Sequence, residues 1–148
     1  MGALLDIELG GFFSGPASAI DTIVSRRKPL EDNAAAARLL YWFGVLDKNA
    51  ELKTLAVSTV RATALPKIVA HEGRVTGSLA VTLELLTAGY VEFSVVGSGA
   101  GVADLLAAGR RVYEPRRVLH PELPGRYPEP QNATMYICND DQCTMPIT

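Results

Sequence analysis

The stretch Ser78-Leu-Ala-Val-Thr-Leu-Glu-Leu-Leu-Thr-Ala-Gly-Tyr-Val-Glu-Phe-Ser-Val-Val-Gly97 changes its hydrophobic period half-way along. In the first half leucines recur at helical spacing, Ser78 can act as the N-cap, and Gly89 is well placed as the left-handed residue after a helix. In the second half apolar and polar residues alternate, which is typical of a strand. The predicted elements are a helix over 78–88, with the apolar stripe Leu79, Leu83 and Leu86, and a strand that ends at Gly97.

Two earlier segments have the pattern of amphipathic helices. The first follows Asp32, a candidate N-cap. Its apolar residues at spacing i, i+3, i+4 and i+7 are Ala36, Leu39, Leu40 and Phe43. Asn49 can cap the second, which should stop before Pro66 because proline disfavours the helical conformation of its predecessor. The predicted helices, 33–46 and 50–64, are joined by a short link, which favours an antiparallel hairpin.

Beyond Gly97 the pattern predicts a small β part. A glycine-rich turn leads into a short helix over 102–110, and Arg117-Val-Leu-His120 has the pattern of a second strand. Strand, helix and strand at this spacing favour a right-handed parallel crossover. A last strand over 134–138 precedes a turn at Asn139-Asp140-Asp141. The predicted fold class is therefore mainly α with a small C-terminal β part, an α+β fold.

Length and composition limit the classes of protein that fit. Of 148 residues, 48% are hydrophobic and 20% charged, which excludes global disorder. We predict a single domain over 1–148, with a helical-hairpin part over 1–90 and a small mixed tail over 91–148. A net charge of −2 gives no field that would attract nucleic acid. The chain shows neither a signal-peptide pattern nor the ~20 consecutive apolar residues that cross a bilayer, so a cytoplasmic protein without a membrane partner is predicted.

The turn Gly97-Ser98-Gly99-Ala100-Gly101 is a candidate anion-binding site. It lies between a predicted strand and a predicted helix, where backbone N–H groups and the helix dipole could meet an anion. Its spacing departs from the dinucleotide fingerprint, because Val102 stands where the third glycine is needed, and no Lys-Ser/Thr of a P-loop follows. A flexible structural turn is the alternative interpretation.

Cys138 and Cys143 are the only cysteines, and four residues separate them. They are redox or metal candidates with three interpretations: reduced structural thiols, a reversible disulfide, or half of a metal site. A zinc site would need two further ligands, and the only histidines are His71 and His120, which have the positions of surface or capping residues. No metal ligand set and no cofactor is therefore predicted.

Three segments together resemble one family. They are Gly10-Gly-Phe-Phe13, then Arg26-Arg-Lys-Pro-Leu-Glu-Asp-Asn-Ala34, and last Tyr136-Ile-Cys-Asn-Asp-Asp-Gln-Cys-Thr-Met-Pro146. In this order and spacing they resemble the C-terminal end of the thioredoxin-domain-containing, spermatogenesis-associated-protein-like family. The resemblance implies an α/α toroid of six helical hairpins, related to the N-acylglucosamine 2-epimerase and six-hairpin glycosidase folds. The chain would supply about four of its twelve helices.

The resemblance implies a C-terminal toroid segment with a structural or partner-docking role, lacking a complete catalytic site. Its partner would be a second copy of the chain, as a homo-oligomer, or a separate chain that carries the rest of the toroid. One alternative is a portion of a carbohydrate-active enzyme, epimerase-like or glycosidase-like, for which Glu31, Asp32 and Glu72 are the candidate acids. Another is a thiol-disulfide switch through the two cysteines. The residues predicted in the core are Phe12, Phe13, Trp42, Phe43 and Phe93.

Overall fold

The computed structural model describes residues 4–18, 21, 25–73, 76–123, 125–128, 130–139 and 142–148. The elements within these ranges are α1 (Leu30–Leu46), α2 (Ala50–Thr63), α3 (Pro66–Glu72), α4 (Gly77–Ala88), β1 (Val91–Val96), α5 (Ala100–Arg111), β2 (Arg117–Pro121), β3 (Thr134–Asn139) and β4 (Gln142–Cys143). This confirms the predicted class, mainly α with a small C-terminal β part. The chain forms two compact units, Met1–Thr87 and Ala88–Thr148, here called the helical unit and the mixed unit.

The helices α1 and α2 form a hairpin. Asn49 caps α2 as predicted, because its side-chain oxygen accepts from the backbone N–H groups of Glu51 and Leu52. The link is three residues long, and Lys48 within it has a φ of 53°. The backbone N–H of Asn49 closes the turn by donating to the Gly44 carbonyl at 2.9 Å. So short a link leaves the two helices packed side by side in opposite directions.

The buried stripe of α1 differs from the predicted one. Leu39 and Phe43 are 58% and 48% exposed, so the prediction of a core Phe43 was wrong. The residues of α1 that are buried are Leu30, Asn33, Ala34, Ala37, Leu40, Tyr41 and Gly44. Three of them, Ala34, Ala37 and Gly44, are small, which lets α2 approach closely. Both stripes have helical spacing, and size complementarity with the partner helix decides which one is covered.

Other predicted core positions are only partly buried. Phe12, Phe13 and Trp42 are half-buried, whereas Phe93 is 3% exposed. In α4 the buried residues are Leu79, Thr82 and Leu85, so the predicted stripe shares only Leu79 with the observed one. The Thr82 hydroxyl explains why this face of α4 is the buried one. It lies 3.0 Å from the Ala34 carbonyl oxygen of α1 and is positioned to donate a hydrogen bond to it.

Two predicted helix starts were wrong. The N-cap of α1 is Pro29, whose ψ of 133° is extended, and Asp32 is the third residue of the helix. Its carboxylate, like that of Glu31, lies in the first turn, where negative charge favours the helix dipole. The helix α4 begins at Gly77, so Ser78 lies inside it. The end of α4 agrees with the prediction, since Gly89 has a φ of 72°.

The helix α3 was not predicted. Pro66 was interpreted as the end of α2, but it also stands at the start of α3, where its fixed φ suits the first turn and its missing N–H costs nothing. Every residue of α3 is half-buried or exposed. A seven-residue helix without a buried stripe gives no periodic signal, which is why the sequence pattern missed it.

The loop that contains Gly10 to Phe13 is held onto the hairpin by two side chains. The Asn33 amide accepts from the Phe12 N–H at 2.6 Å and donates to the carbonyls of Phe12 and Pro29. Lys28 donates to the Gly10 carbonyl at 2.6 Å and pairs with Asp6 at 2.8 Å. Two of the segments that carry the family resemblance are thus packed on one another, and their contacts are structural.

The mixed unit is a four-stranded sheet in the order β2-β1-β3-β4 with α5 on one face. Strands β1 and β2 are parallel, as predicted for the strand-helix-strand crossover, and β3 runs antiparallel to β1. The core beneath α5 contains Phe93, Val95 and Met135. Of the predicted turn after β3, Asp140 and Asp141 lie outside the described residues. The two-residue strand β4, which was not predicted, pairs with the end of β3.

Among the described residues, no helix combines the length and apolarity needed to cross a bilayer.

Candidate functional site

The sheet face opposite α5 carries polar side chains. Alternation along β1 places Phe93 and Val95 under α5, and therefore Glu92 and Ser94 on the other face. The register adds His120, which is the β2 partner of Ser94. Ser94 is fully buried, so this polar face is covered rather than open to solvent.

The segment after β2 covers this face and brings a second carboxylate. Its backbone is held at Glu122, whose N–H donates to the Val95 carbonyl at 2.8 Å. The Ser94 hydroxyl donates to Glu122 Oε2 at 3.2 Å. His120 Nε2 lies 3.0 Å from Glu92 Oε1. Glu92, His120 and Glu122 therefore converge, each offering a ligand atom within 4.8 Å of the others.

Arg126 bridges the two carboxylates. Its Nη1 lies 2.6 Å from Glu92 Oε1 and its Nη2 2.8 Å from Glu92 Oε2, a bidentate pair. The same Nη1 lies 3.2 Å from Glu122 Oε2. The two carboxylate side chains are each 12% exposed, whereas Arg126 is 52% exposed. We call Glu92, His120, Glu122 and Arg126 the polar cluster.

The electrostatics of the polar cluster favour an ionised Glu92. Hydrogen bonds donated by Arg126 lower the pKa of Glu92 below its ordinary value, and the contact with His120 acts in the same direction. Partial burial opposes this by raising the pKa. The same pairing raises the pKa of Arg126. The negative charge of Glu92 is therefore compensated by Arg126 within the polar cluster.

A cleft of ≈ 480 Å³ adjoins the polar cluster. Its lining residues are Val96, Gly97, Ser98, Glu122, Gly125, Tyr127 and Pro130. Tyr127 stacks on Tyr136 with ring centroids 4.4 Å apart, so one wall of the cleft is rigid. The cleft makes Glu122 the member of the polar cluster that a small molecule could reach.

Cys138 and Cys143 are joined by a disulfide in the structure. Cys138 is buried on the polar face as the β3 register partner of Glu92, and Cys143 is exposed on β4. The Tyr127 hydroxyl lies 3.5 Å from Cys138 Sγ. The sulfurs are therefore bonded to one another, and the disulfide lies beside the cleft wall rather than in the polar cluster.

The glycines of the candidate anion turn have separate positions. Gly97 ends β1 with a φ of 123°, Gly99 is the N-cap of α5, and Gly101 lies within that helix. A Cβ at Gly97 would approach the Ala133 Cα at 3.0 Å, and one at Gly101 the Ala133 Cβ at 3.0 Å. Close packing against Ala133 therefore accounts for glycine at two of the three positions.

The carboxylates predicted for sugar chemistry are spread over the helical unit. Glu31 is half-buried and Asp32 exposed in the first turn of α1. Glu72 ends α3 and lines a cleft of ≈ 620 Å³, whose other lining residues are Arg27, Lys28, Pro29, Lys67, Ile68 and His71. The cleft is basic, and Glu72 is the one predicted acid among its lining residues in the described part of the chain.

Glu92, Glu122 and Arg126 were not among the predicted site residues, and His120 was predicted to be a surface or capping residue. Alternation along the predicted strand did contain one signal, since it placed Glu92 and Ser94 on a common face. Combined with the predicted parallel crossover, this put the β2 strand beside them. The contribution of Glu122 and Arg126 depends on how the proline-rich segment folds back, for which the sequence holds no periodic signal.

No family model, no curated protein and no solved structure matches this chain. The resemblance to the thioredoxin-domain-containing family stays a prediction based on three sequence motifs.

Acidification is expected to weaken the mixed unit through Glu92. A carboxyl whose pKa is lowered by folding stabilises the folded state above its ordinary pKa of 4.5, and this stabilisation is lost as the pH falls below that value. At pH 7, Glu92→Gln should cost about 1 kcal/mol, because it removes a charge-assisted pair with a half-exposed arginine. Urea unfolding followed by the Val95 methyl NMR signals should show this difference shrinking towards pH 3. A difference that is independent of pH would contradict the prediction.

Proposed function

We propose that this chain is a docking segment whose helical unit packs against further helices through the exposed face of α1. The observation that carries the proposal is that α1 is apolar on both sides. One side is buried within the helical unit, and the other exposes Leu39, Phe43 and Leu46 by 58%, 48% and 64%. A contiguous apolar patch on the exposed side of a helix marks a surface that another protein segment can cover. We call these three residues the α1 stripe.

The proposed partner of the α1 stripe is another α-helical hairpin. The three residues have the spacing i, i+4 and i+7, which forms a continuous ridge that fits a groove on a facing helix. The resemblance of the chain to a family with six stacked hairpins supports the same choice. In this proposal the chain is a C-terminal toroid segment, and a second copy or a separate chain supplies the neighbouring hairpin.

Size-exclusion chromatography with light scattering tests the α1 stripe. The chain of 15.8 kDa is expected to associate, since an apolar ridge without a partner favours self-association. The double variant Leu39→Glu/Phe43→Glu should elute as a monomer, because association would then bury two carboxylates in an apolar interface. Trp42 fluorescence during urea unfolding checks that the helical unit of the variant still folds.

Ile7→Glu is the matched control, because Ile7 is an apolar residue of the same unit that is 85% exposed and lies outside the α1 stripe. It should associate as the wild type does. A wild-type chain that stays monomeric at high concentration, or a double variant that associates as strongly as the control, would contradict the docking proposal.

A thiol-disulfide switch is the second candidate function. It is supported by the disulfide itself, which joins buried Cys138 to exposed Cys143 across the β3–β4 pair. We propose a cytoplasmic location, where thiols are normally kept reduced, so an accessible disulfide there would be reversible. The chromatography above, repeated with and without reductant, tests this candidate. If the wild type and Cys138→Ser/Cys143→Ser respond identically to reductant, the switch is excluded.

The carbohydrate-active alternative has weaker support. A glycosidase normally places two carboxylates on either side of the scissile bond. Glu72 lines a basic cleft, whereas Glu31 and Asp32 lie in the first turn of α1. Among the lining residues of that cleft in the described part of the chain, Glu72 is the only carboxylate.

A further inference from the structure

We propose that Glu92, His120 and Glu122 bind one first-row divalent cation, such as Zn²⁺ or Mn²⁺, in exchange for the guanidinium of Arg126. This site is in the mixed unit and is independent of the docking function proposed for the helical unit. One imidazole and two carboxylates form a donor set suited to these metals, whereas an all-oxygen set is typical of Ca²⁺ and Mg²⁺.

The three ligand atoms are already close together. They lie within 4.8 Å of one another, and His120 Nε2 is 3.0 Å from Glu92 Oε1. Ligand atoms at about 2.1 Å from one ion are roughly 3 to 4 Å apart, so only a small contraction is needed. Ser94 donates to Glu122 and so holds the third ligand from outside the site.

His120 presents Nε2 to the carboxylate of Glu92, 3.0 Å from Oε1. Its Nδ1 lies 3.2 Å from the Pro121 carbonyl oxygen, which can only accept a hydrogen bond. In the tautomer with the hydrogen on Nδ1, Nε2 has the lone pair that binds a metal ion, and this lone pair faces the carboxylates. A ligating histidine commonly has this arrangement, with its other nitrogen donating to a backbone carbonyl.

The guanidinium of Arg126 lies between the two carboxylates, in the position that a metal ion would take. Its Nη1 contacts both Glu92 and Glu122, and its single positive charge offsets one of their two negative charges. The side chain is 52% exposed and follows Gly125, so it can turn towards solvent without disturbing the sheet. A divalent ion would bring two positive charges to the same oxygens, whereas the guanidinium brings one. The cleft beside Glu122 leaves water or a small ligand access to the bound ion.

Calorimetric titration of the full chain with ZnCl₂ and with MnCl₂ tests the site. The protein is first freed of metal with a chelator and kept without reductant, so that Cys138 and Cys143 stay joined. One ion is expected to bind per chain. His120→Gln and Glu122→Gln should each weaken binding at least about tenfold. Arg126→Ala should tighten it about fivefold, because it removes a competing positive charge.

Two controls keep these outcomes interpretable. His71→Gln changes the other histidine, which is exposed on α3, and it should leave the affinity unchanged. Broadening of the His120 ring signals by Mn²⁺ in NMR spectra, with the His71 signals left sharp, locates the ion without any variant.

Absence of binding by both the wild type and Arg126→Ala would overturn the proposal. Equal affinities of His120→Gln, Glu122→Gln and the wild type would also overturn the proposal, because the ion would then be bound elsewhere on the surface. Weaker binding by Arg126→Ala than by the wild type would contradict the proposed exchange of the Arg126 guanidinium for the metal ion.

Discussion

Asn33→Ala is expected to lower the free energy of unfolding of the helical unit by about 3 kcal/mol. Asn33 is 1% exposed and its amide makes three hydrogen bonds, to both backbone groups of Phe12 and to the Pro29 carbonyl. Alanine would leave these groups without a partner in a place that water does not readily reach, and each such group costs about 1 kcal/mol or more. The loop around Phe12 would then be held less tightly on the hairpin, and the helical unit should unfold at a lower urea concentration.

Urea unfolding monitored by Trp42 fluorescence measures this cost, because the only tryptophan lies in α1 of the helical unit. Asn49→Ala is the matched control. It removes the same side chain from an exposed N-cap, where water can replace the lost bonds to Glu51 and Leu52, and should cost about 1 kcal/mol. Equal losses of unfolding free energy in the two variants would show that burial of the Asn33 hydrogen bonds adds nothing to the stability of the helical unit.

Gly44→Ala is expected to destabilise the helical unit by about 2 kcal/mol, although alanine is the better helix former. A Cβ at Gly44 would lie 2.7 Å from Lys53 Cγ, 2.9 Å from the Asn49 carbonyl oxygen and 3.0 Å from the Lys53 nitrogen. Two of these atoms belong to the backbone of the hairpin partner, so the helices would have to separate. The steric cost therefore exceeds the propensity gain of about 1 kcal/mol.

Gly77→Ala is the control for this prediction. Gly77 is the first residue of α4, and in the described part of the chain a Cβ there would meet no atom within 4 Å. Alanine should be neutral or stabilising by up to about 1 kcal/mol. Urea midpoints followed by Trp42 fluorescence compare the two variants. A Gly44→Ala chain that is as stable as Gly77→Ala would contradict the close approach of α1 and α2.

The polar cluster shows why a site can be hidden in a sequence whose elements are predictable. Glu92, His120 and Arg126 are separated by up to 34 residues along the chain. Each of them, taken singly, resembles an ordinary charged or polar surface residue. They converge only because the parallel register of β1 and β2 and the return of the following segment bring them to one sheet face.

Local patterns by themselves determined most of the elements. The change of period around Gly89 predicted the end of α4 and the start of β1, and Asn49 identified the start of α2. These predictions succeeded because hydrophobic period, caps and left-handed glycines act between residues that are neighbours in the chain.

Only the tertiary structure decided which side of each element is covered. Both apolar stripes of α1 have helical periodicity, and the close approach of α2 at Gly44 selected the one that contains this glycine. The same choice left Leu39 and Phe43 exposed. In the mixed unit, packing of α5 on Phe93 assigned Glu92 to the opposite face. Coverage depends on the shape of a partner that is distant in the chain, whereas period depends on neighbouring residues alone. The sequence therefore predicted most of the helices and strands but not the surfaces and the site they form.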